Sequence, residues 1–324
     1  MVQVWSSYSE YLNFIESQFE KCFASKRYFR EHPIKITSRV DDSVVFIGST
    51  TSPLKKYLFG DGIGSHGRFL IQNCIKTYSL QNLMNTNSVV FGSYFKEMGV
   101  MSEATIEDVA FDTFDYLINY LGISIGDIRV EISLNDPDLL KAVNNIDKKI
   151  NVKVAPHDSK RHRHTYGYNS RGLVGRNINI LIKRNSIYSY IEVGNVIALE
   201  IEGKKIATEM GFSNTVLSMC EFGSTSTIAC SRIADVFDIE NIGKLKFADA
   251  ITVVSILLYE DIQNHPKYSR YFKRWFQKYC KVILFWQDKL GIDDFEVLSY
   301  MKRFISYEYS ANLNWGNSIA KLII

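Results

Sequence analysis

Two arginines and one basic run are the side chains of this sequence best equipped for chemistry. Arg68 opens an apolar, strand-like segment and Arg232 opens a helical one. A guanidinium in such a place offers a fixed, always-charged fork of donors that can hold two oxygens of a phosphate or carboxylate at once. Lys160-Arg161-His162-Arg163-His164 gathers more positive charge, and Gly172-Leu173-Val174-Gly175 marks a glycine-spaced turn. Taken singly, each has a plainer reading: a lone strand arginine is usually a surface charge, and a short basic run is usually a solvated loop. No Walker-type phosphate loop and no Rossmann glycine fingerprint is present. The five cysteines, Cys22, Cys74, Cys220, Cys230 and Cys280, are far apart, with no C-x-x-C pair and no histidine at ligand spacing. That pattern fits a reducing cytoplasm and argues against a zinc site, so no metal-ligand residue is assigned.

The elements that must position these groups belong to a globular chain. Its 324 residues are 46% hydrophobic, 13% aromatic and 23% charged with 5 prolines, which excludes disordered, collagen-like and mucin-like chains. The net charge of +3, from 38 Lys+Arg against 35 Asp+Glu, makes no global case for nucleic acid. No apolar run reaches the roughly 18 to 20 residues that span a bilayer. Glu10, Glu16 and Glu20 break the start as no signal peptide allows, so a soluble, cytoplasmic protein without a membrane partner is expected.

Apolar spacing predicts a helix over 6–28, closed by His32-Pro33, and another over 103–121. Strands are expected at Ser43 to Ile47, Gly67 to Ile75, Val89 to Phe95, Ile128 to Ile132, Ile178 to Ile182, Tyr188 to Leu199 and Thr215 to Met219. From Ile228 the pattern turns helical through Ile228 to Val236, Phe247 to Ile262, Tyr268 to Leu290, Phe295 to Ile305 and Ala311 to Ile323. The expected fold class is α+β: a mainly antiparallel sheet flanked by helices, followed by an all-helical region. The domains are placed at 1–240 and 241–324.

Several segments, in order, resemble the catalytic domain of alanyl-tRNA synthetase, a class II aminoacyl-tRNA synthetase. Pro53-Leu54-Lys55-Lys56-Tyr57-Leu58-Phe59-Gly60 is similar to the family's "FKDxFLG" helix. Gly67 through Lys76, including Arg68, is similar to its motif 2 strand, and Tyr94-Phe95-Lys96-Glu97-Met98 to "TFFEML". Gly172 to Ile180 lines up with "GPCGPCSEI", Glu192-Val193-Gly194-Asn195 with "EIWN", and Thr225 to Ala234 with motif 3. Ala248-Asp249-Ala250-Ile251 resembles "ADHIR", the start of the tRNA-recognition helices.

The resemblance implies a class II synthetase-like fold, ATP with Mg2+, and activation of an amino acid or related carboxylic acid as an adenylate. In that chemistry Arg68 and Arg232 would be the catalytic and ATP-binding arginines on the α- and γ-phosphates. Phe95 would lie against adenine, with Glu97 in the same nucleotide strand. Tyr166, Asn195 and Thr225 would line the substrate pocket. There are departures. Thr225 stands where the family has the aspartate that binds alanine's amino group, and losing such a buried contact costs on the order of 2 to 5 kcal/mol. Tyr166 replaces a tryptophan, Asn179 an acidic residue, and Thr227 and Ala229 motif 3 glycines. Ordinary alanine is therefore not the expected substrate, and at 324 residues no editing domain is expected. Lys267, Arg270, Lys273, Arg274, Lys278 and Lys281 form a basic helical stripe that is equally a nucleic-acid footprint or a solvated face. The acceptor is a tRNA, a small molecule or a protein. The rival reading is a catalytically inactive paralogue that binds nucleotide, tRNA or protein in a regulatory role.

Overall fold

The structure, a computed structural model, describes residues 4–41, 43–64, 66–156, 161–166, 171–184, 187–260 and 270–309. Ser7 caps the first helix, α1 (Tyr8–Ser25), by accepting the N–H of Glu10. Tyr11, Leu12, Ile15, Phe19, Cys22 and Phe23 recur at helical spacing and are buried as one stripe. The stripe lies on a nine-stranded sheet. Its strands are β1 (Phe29–Arg30), β2 (Arg68–Ile75), β3 (Tyr94–Ser102), β4 (Ile128–Ser133), β5 (Asn151–Ala155), β6 (Arg163–Thr165), β7 (Val174–Arg184), β8 (Ile187–Ile201) and β9 (Lys204–Ser213). Their order is β1-β2-β3-β9-β8-β7-β4-β5, with β6 pairing β7 alongside. Only β1 with β2 and β4 with β5 pair in parallel.

Strand alternation gives the sheet two unlike faces. Met98, Val100, Ile180, Val196, Met210 and Phe212 point to the core shared with α1, α3 (Ile106–Asp115) and α4 (Pro137–Ile146). Thr105 and Asp108 form the capping box that starts α3. The intervening residues Glu97, Glu209, Gly211 and Asn195 share the opposite face, where β9 sets Gly211 between Gly99 of β3 and Asn195 of β8. Gly99 is required there, because a Cβ would fall 2.0 Å from the Thr50 hydroxyl. This close approach seats the start of α2 (Thr51–Lys56) over the open face.

The remaining helices are α5 (Asn214–Glu221), α6 (Ile242–Tyr259), α7 (Arg270–Leu290) and α8 (Asp294–Tyr309). Asn241 caps α6 through Lys244 N–H. Phe247, Ile251, Ile283 and Phe304 share a second core with Ile36, Phe46, Ile75 and Leu83, so the helical region packs onto the loops beside the sheet. The architecture is α+β, an antiparallel sheet flanked by helices with a helical C-terminal region, as the sequence pattern predicts.

Details differ from that pattern. Ser43 to Ile47 is irregular and joins the fold through single backbone bonds, Ile47 to Ile36 and Ile75 to Ile47. β3 starts only at Tyr94, since the preceding backbone is held by Asp249, which accepts both the N–H and the hydroxyl of Ser93. Thr215 to Met219 is helical, in α5, where burial on nearly every side outweighs β propensity. Ile228 to Val236 forms two short 3-10 turns, Ile228–Cys230 and Arg232–Asp235. Lys160, Lys267 and the expected helix at Ala311 to Ile323 lie outside the described residues. Among the described residues no helix is long and apolar enough to cross a membrane.

Candidate active site

Above the polar face of the sheet are two adjoining pockets of about 530 and 350 Å³. Lys76, Tyr78, Glu97, Asn195 and Gly211 line both, so they form one cleft. The larger pocket extends under α2 and the Ser43 to Ser49 loop, towards His164, Tyr166 and Glu209. The smaller extends past Phe95 to Gly92, Thr215 and Thr227. Gly211 keeps the floor open between them: a Cβ there would meet the Glu97 carboxyl at 3.5 Å, an ordinary contact, but would project into the cleft.

The cleft is polar and its groups are held in place. One oxygen of Glu209 accepts the Thr51 hydroxyl and the other the Tyr166 hydroxyl, the latter at 2.8 Å. Glu97 accepts the Thr50 N–H. Burial pushes Glu209 up to about 7; the charge of Glu97 adds to that rise, while the Thr51 and Tyr166 hydrogen bonds and Lys76 oppose it. Burial, and then the charge of Lys76, hold His164 below the usual imidazole range. The Lys76 ammonium lies 5.0 Å from the centre of the Phe95 ring. The cleft thus offers an aromatic face, Phe95, at one end and a buried carboxyl, Glu209, at the other, with Lys76 and Glu97 where the two pockets join.

Of the residues singled out in the sequence, Phe95, Glu97, Tyr166 and Asn195 meet in this cleft. Thr225 does not line it and is exposed; Thr227 lines it instead, its hydroxyl accepting the Gly92 N–H at 2.8 Å. Arg68 sits near the β1 edge, its guanidinium on the Tyr57 ring at 3.8 Å, bonded to Glu31 and to the Ile63 carbonyl. Arg232 is 4% exposed behind the sheet, where it donates to Asn13 at 2.8 Å and Glu16 at 3.0 Å and faces Glu308 at 3.7 Å. Neither arginine lines the cleft. In the basic run, Arg161 pairs with Glu131 and Glu192 and Arg163 with Asp136, while His164 turns into the cleft.

The functional groups without a sequence assignment are Lys76, His164, Thr51, Glu209 and Gly211. Lys76 is the last residue of the segment that resembles motif 2, which was its only signal. Glu209 and Gly211 belong to β9, whose signal is the alternation of Ile206, Thr208, Met210 and Phe212. Among the described residues no group of three or more His, Cys, Asp or Glu side chains is arranged to hold a metal ion.

No family model matches the sequence, and no curated protein matches it. The chain is similar to solved structures of synthetases. Apo histidyl-tRNA synthetase of S. aureus matches at 10% identity and a TM-score of 0.41, over 69% of this chain and 71% of that one. Pyrrolysyl-tRNA synthetase of Desulfitobacterium hafniense matches at 9% and 0.36, over 68% and 73%. Aspartyl-tRNA synthetase of Entamoeba histolytica matches at 8% and 0.35, over 71% and 62%.

Proposed function

We propose that the chain binds ATP in this cleft and uses it to activate an amino acid, or a related carboxylic acid, as an acyl-adenylate for transfer to a tRNA or to a small-molecule or protein acceptor. The observation that carries this reading is the meeting of Phe95, Glu97, Tyr166 and Asn195 in one cleft from three separate stretches of chain. The sequence resemblance implies a nucleotide or substrate contact for each of these four, as it does for Arg68, Arg232 and Thr225, which do not line the cleft.

The smaller pocket would take the nucleotide, adenine against Phe95, and the larger the acid. A carboxylate oxygen attacks the α-phosphorus, an O–P bond forms, the bond to the β-phosphate bridging oxygen breaks, and pyrophosphate leaves. Negative charge grows on the α-phosphate oxygens, where the two pockets join at Lys76. Among the described residues Lys76 forms no ion pair that it would have to break, only its contact with the Phe95 ring, whereas Arg68 and Arg232 would first have to abandon Glu31 and Glu16. Asn195 can hydrogen-bond either reactant. Mg2+ would arrive with the phosphates as part of the substrate. Both Glu209 oxygens and one of Glu97 already accept protein donors, so these side chains do not form a ready-made ion site.

The engagement of both arginines elsewhere favours one alternative, a paralogue that binds the same ligands without catalysis. Exchange of pyrophosphate into ATP over a panel of acids separates the two. At least one acid should support exchange, and Lys76→Ala should lower it about 100-fold. ATP binding without exchange for any acid selects the inactive reading. The tRNA arm is supported by Lys273, Arg274 and Lys281, exposed on one face of α7. Replacing Lys273 and Arg274 by Glu should weaken tRNA binding and flatten its salt dependence by about two counterions. Unchanged binding removes tRNA as the acceptor.

A further inference from the structure

α6 carries two buried carboxyls that lie outside the cleft, Asp249, 2% exposed, and Glu260, 8% exposed, at its C-terminal end. Residues 249 and 260 are about three helical turns apart, so the two side chains leave the same side of the helix about 16 Å from one another. Each accepts hydrogens from backbone that leads to the cleft. Asp249 takes the Ser93 N–H and the Ser93 hydroxyl, both at 2.7 Å. The Ser93 carbonyl in turn accepts the Lys76 N–H at 2.9 Å. Glu260 takes the Ile36 N–H at 2.9 Å and the Thr37 N–H at 3.3 Å. The Ile36 carbonyl then accepts the Ile47 N–H, and the Ile47 carbonyl the Ile75 N–H, each at 2.9 Å. Two separate hydrogen-bond relays thus leave one helix and end on the consecutive N–H groups of Ile75 and Lys76.

We infer that Asp249 and Glu260 are positioning residues for Lys76, so that α6 fixes from outside the cleft where the ammonium stands between the two pockets. The inference rests on the activation reading above, in which that ammonium meets the charge growing on the α-phosphate. β2 ends at Ile75, so Lys76 stands where the regular ladder has stopped and its backbone relies on the bonds to Ile47 and Ser93. A lysine side chain is a flexible stem, directed by the anchor of its backbone and here by the Phe95 ring at 5.0 Å. Burial pushes both carboxyls up to about 6. The bonds from Ser93 oppose that rise at Asp249, and those from Ile36 and Thr37, with the charge of Lys35, oppose it at Glu260. Both therefore act at pH 7 as charged acceptors, which hold an N–H more tightly than neutral ones do. An apolar side chain would pack α6 against these loops without the penalty of burying a charge, so the carboxyls are explained by the backbone they hold.

Activation and positioning can be tested separately. In pyrophosphate exchange, Asp249→Ala should lower kcat about 30-fold and change KM for ATP by less than about 3-fold, because Lys76 shifts while the pocket lining stays. Asp249→Asn keeps an oxygen for the Ser93 N–H and should restore most of the rate. Glu260→Ala, whose relay is one link longer, should lower kcat about 5-fold. In a Lys76→Ala background neither substitution should lower kcat by more than about 2-fold, whereas damage to the fold at large would add in full. Amide hydrogen exchange read by mass spectrometry should quicken about 10-fold over residues 70–80 in Asp249→Ala and in Glu260→Ala, and not over α1. Thermal unfolding confirms that the variants are folded, and where Asp249→Ala is not, Glu260→Ala carries the same tests. A full rate in folded Asp249→Ala and Glu260→Ala, a loss that persists without Lys76, or unchanged amide exchange over residues 70–80 would overturn the inference. If no acid supports pyrophosphate exchange in the wild type and the amides still respond, the activation reading fails and the relay stands. If wild-type exchange depends on Lys76 and the amides do not respond, the relay fails and the activation reading stands.

Discussion

Lys96 and Glu97 are neighbours on β3, yet they serve regions of opposite character. Lys96 points behind the sheet into a closed set of charges, 3.2 Å from Glu16 and 2.7 Å from Glu308, with Arg232 completing the cluster. Burial opposes ionisation of Glu16, but Lys96 and Arg232 more than offset it and hold the carboxyl below its usual range. Every charge there has a protein partner of opposite sign. Glu97 points forward into the cleft, where Glu209 repeats its sign and Lys76 lies nearby, but among the described residues neither carboxyl is closed into an ion pair. The difference separates charges that hold the fold, tying α1, β3 and α8 together, from charges that await a ligand. It also places Arg232 on the structural side, although arginine is the residue type that phosphate chemistry would choose.

The comparison can be broken most forcefully from behind. Arg232→Ala leaves Glu16 and Glu308 buried without their guanidinium and should cost about 3 to 5 kcal/mol of stability by urea unfolding. The molecules that remain folded should keep their ATP affinity. Stability intact with ATP binding lost would move Arg232 to the functional side. On the front, Gly211→Val places a branched side chain between the pockets. Pyrophosphate exchange should fall about 100-fold, while unfolding shifts by less than about 1 kcal/mol.

The front carboxylates also make a prediction about pH. Burial raises Glu209 in the folded chain from the ordinary 4.5 to about 7. Folding therefore favours its protonated form, and that contribution is complete below about pH 4.5 and is lost as pH rises towards 7. Glu209→Gln should consequently be more stable than the wild type at pH 8, by about 3 kcal/mol, and the two should converge in acid. A constant difference across pH would mean that Glu209 does not titrate in this window. The smallest effect is expected at the sheet edge. Arg68, 21% exposed in its pair with Glu31, should on replacement by Ala cost no more than about 1 kcal/mol and leave exchange unchanged. A large loss of exchange would restore Arg68 to the phosphate.

Much of the scaffold was legible in the sequence, because helical and strand periodicity record burial directly. α1 and α3, the segments of β2, β4, β7 and β8, and the turn to helix after Ile242 all follow the apolar spacing. α5 misled because Thr215, Val216 and Leu217 favour strands locally, and only their burial on nearly every side makes them helical. The front residues Phe95, Glu97, Tyr166 and Asn195 were found through segment order. Glu209 was not, because β9 carries only a short alternation and a glutamate followed by Met and Gly has no signature of its own. The arginines were conspicuous in sequence for a chemical reason, their bidentate charge, but sequence cannot show that Glu16, Glu31 and Glu308 already occupy that charge. Pairing is a tertiary property, and in this molecule it decides which polar groups are available.

The most direct measurement is the position of the nucleotide. Crystals soaked with a non-hydrolysable ATP analogue should show adenine against Phe95 and the triphosphate within hydrogen-bonding reach of Lys76, with the space beside Glu209 left open for the acid. A nucleotide bound beside Arg68 or Arg232, or anywhere outside the front cleft, would contradict the account.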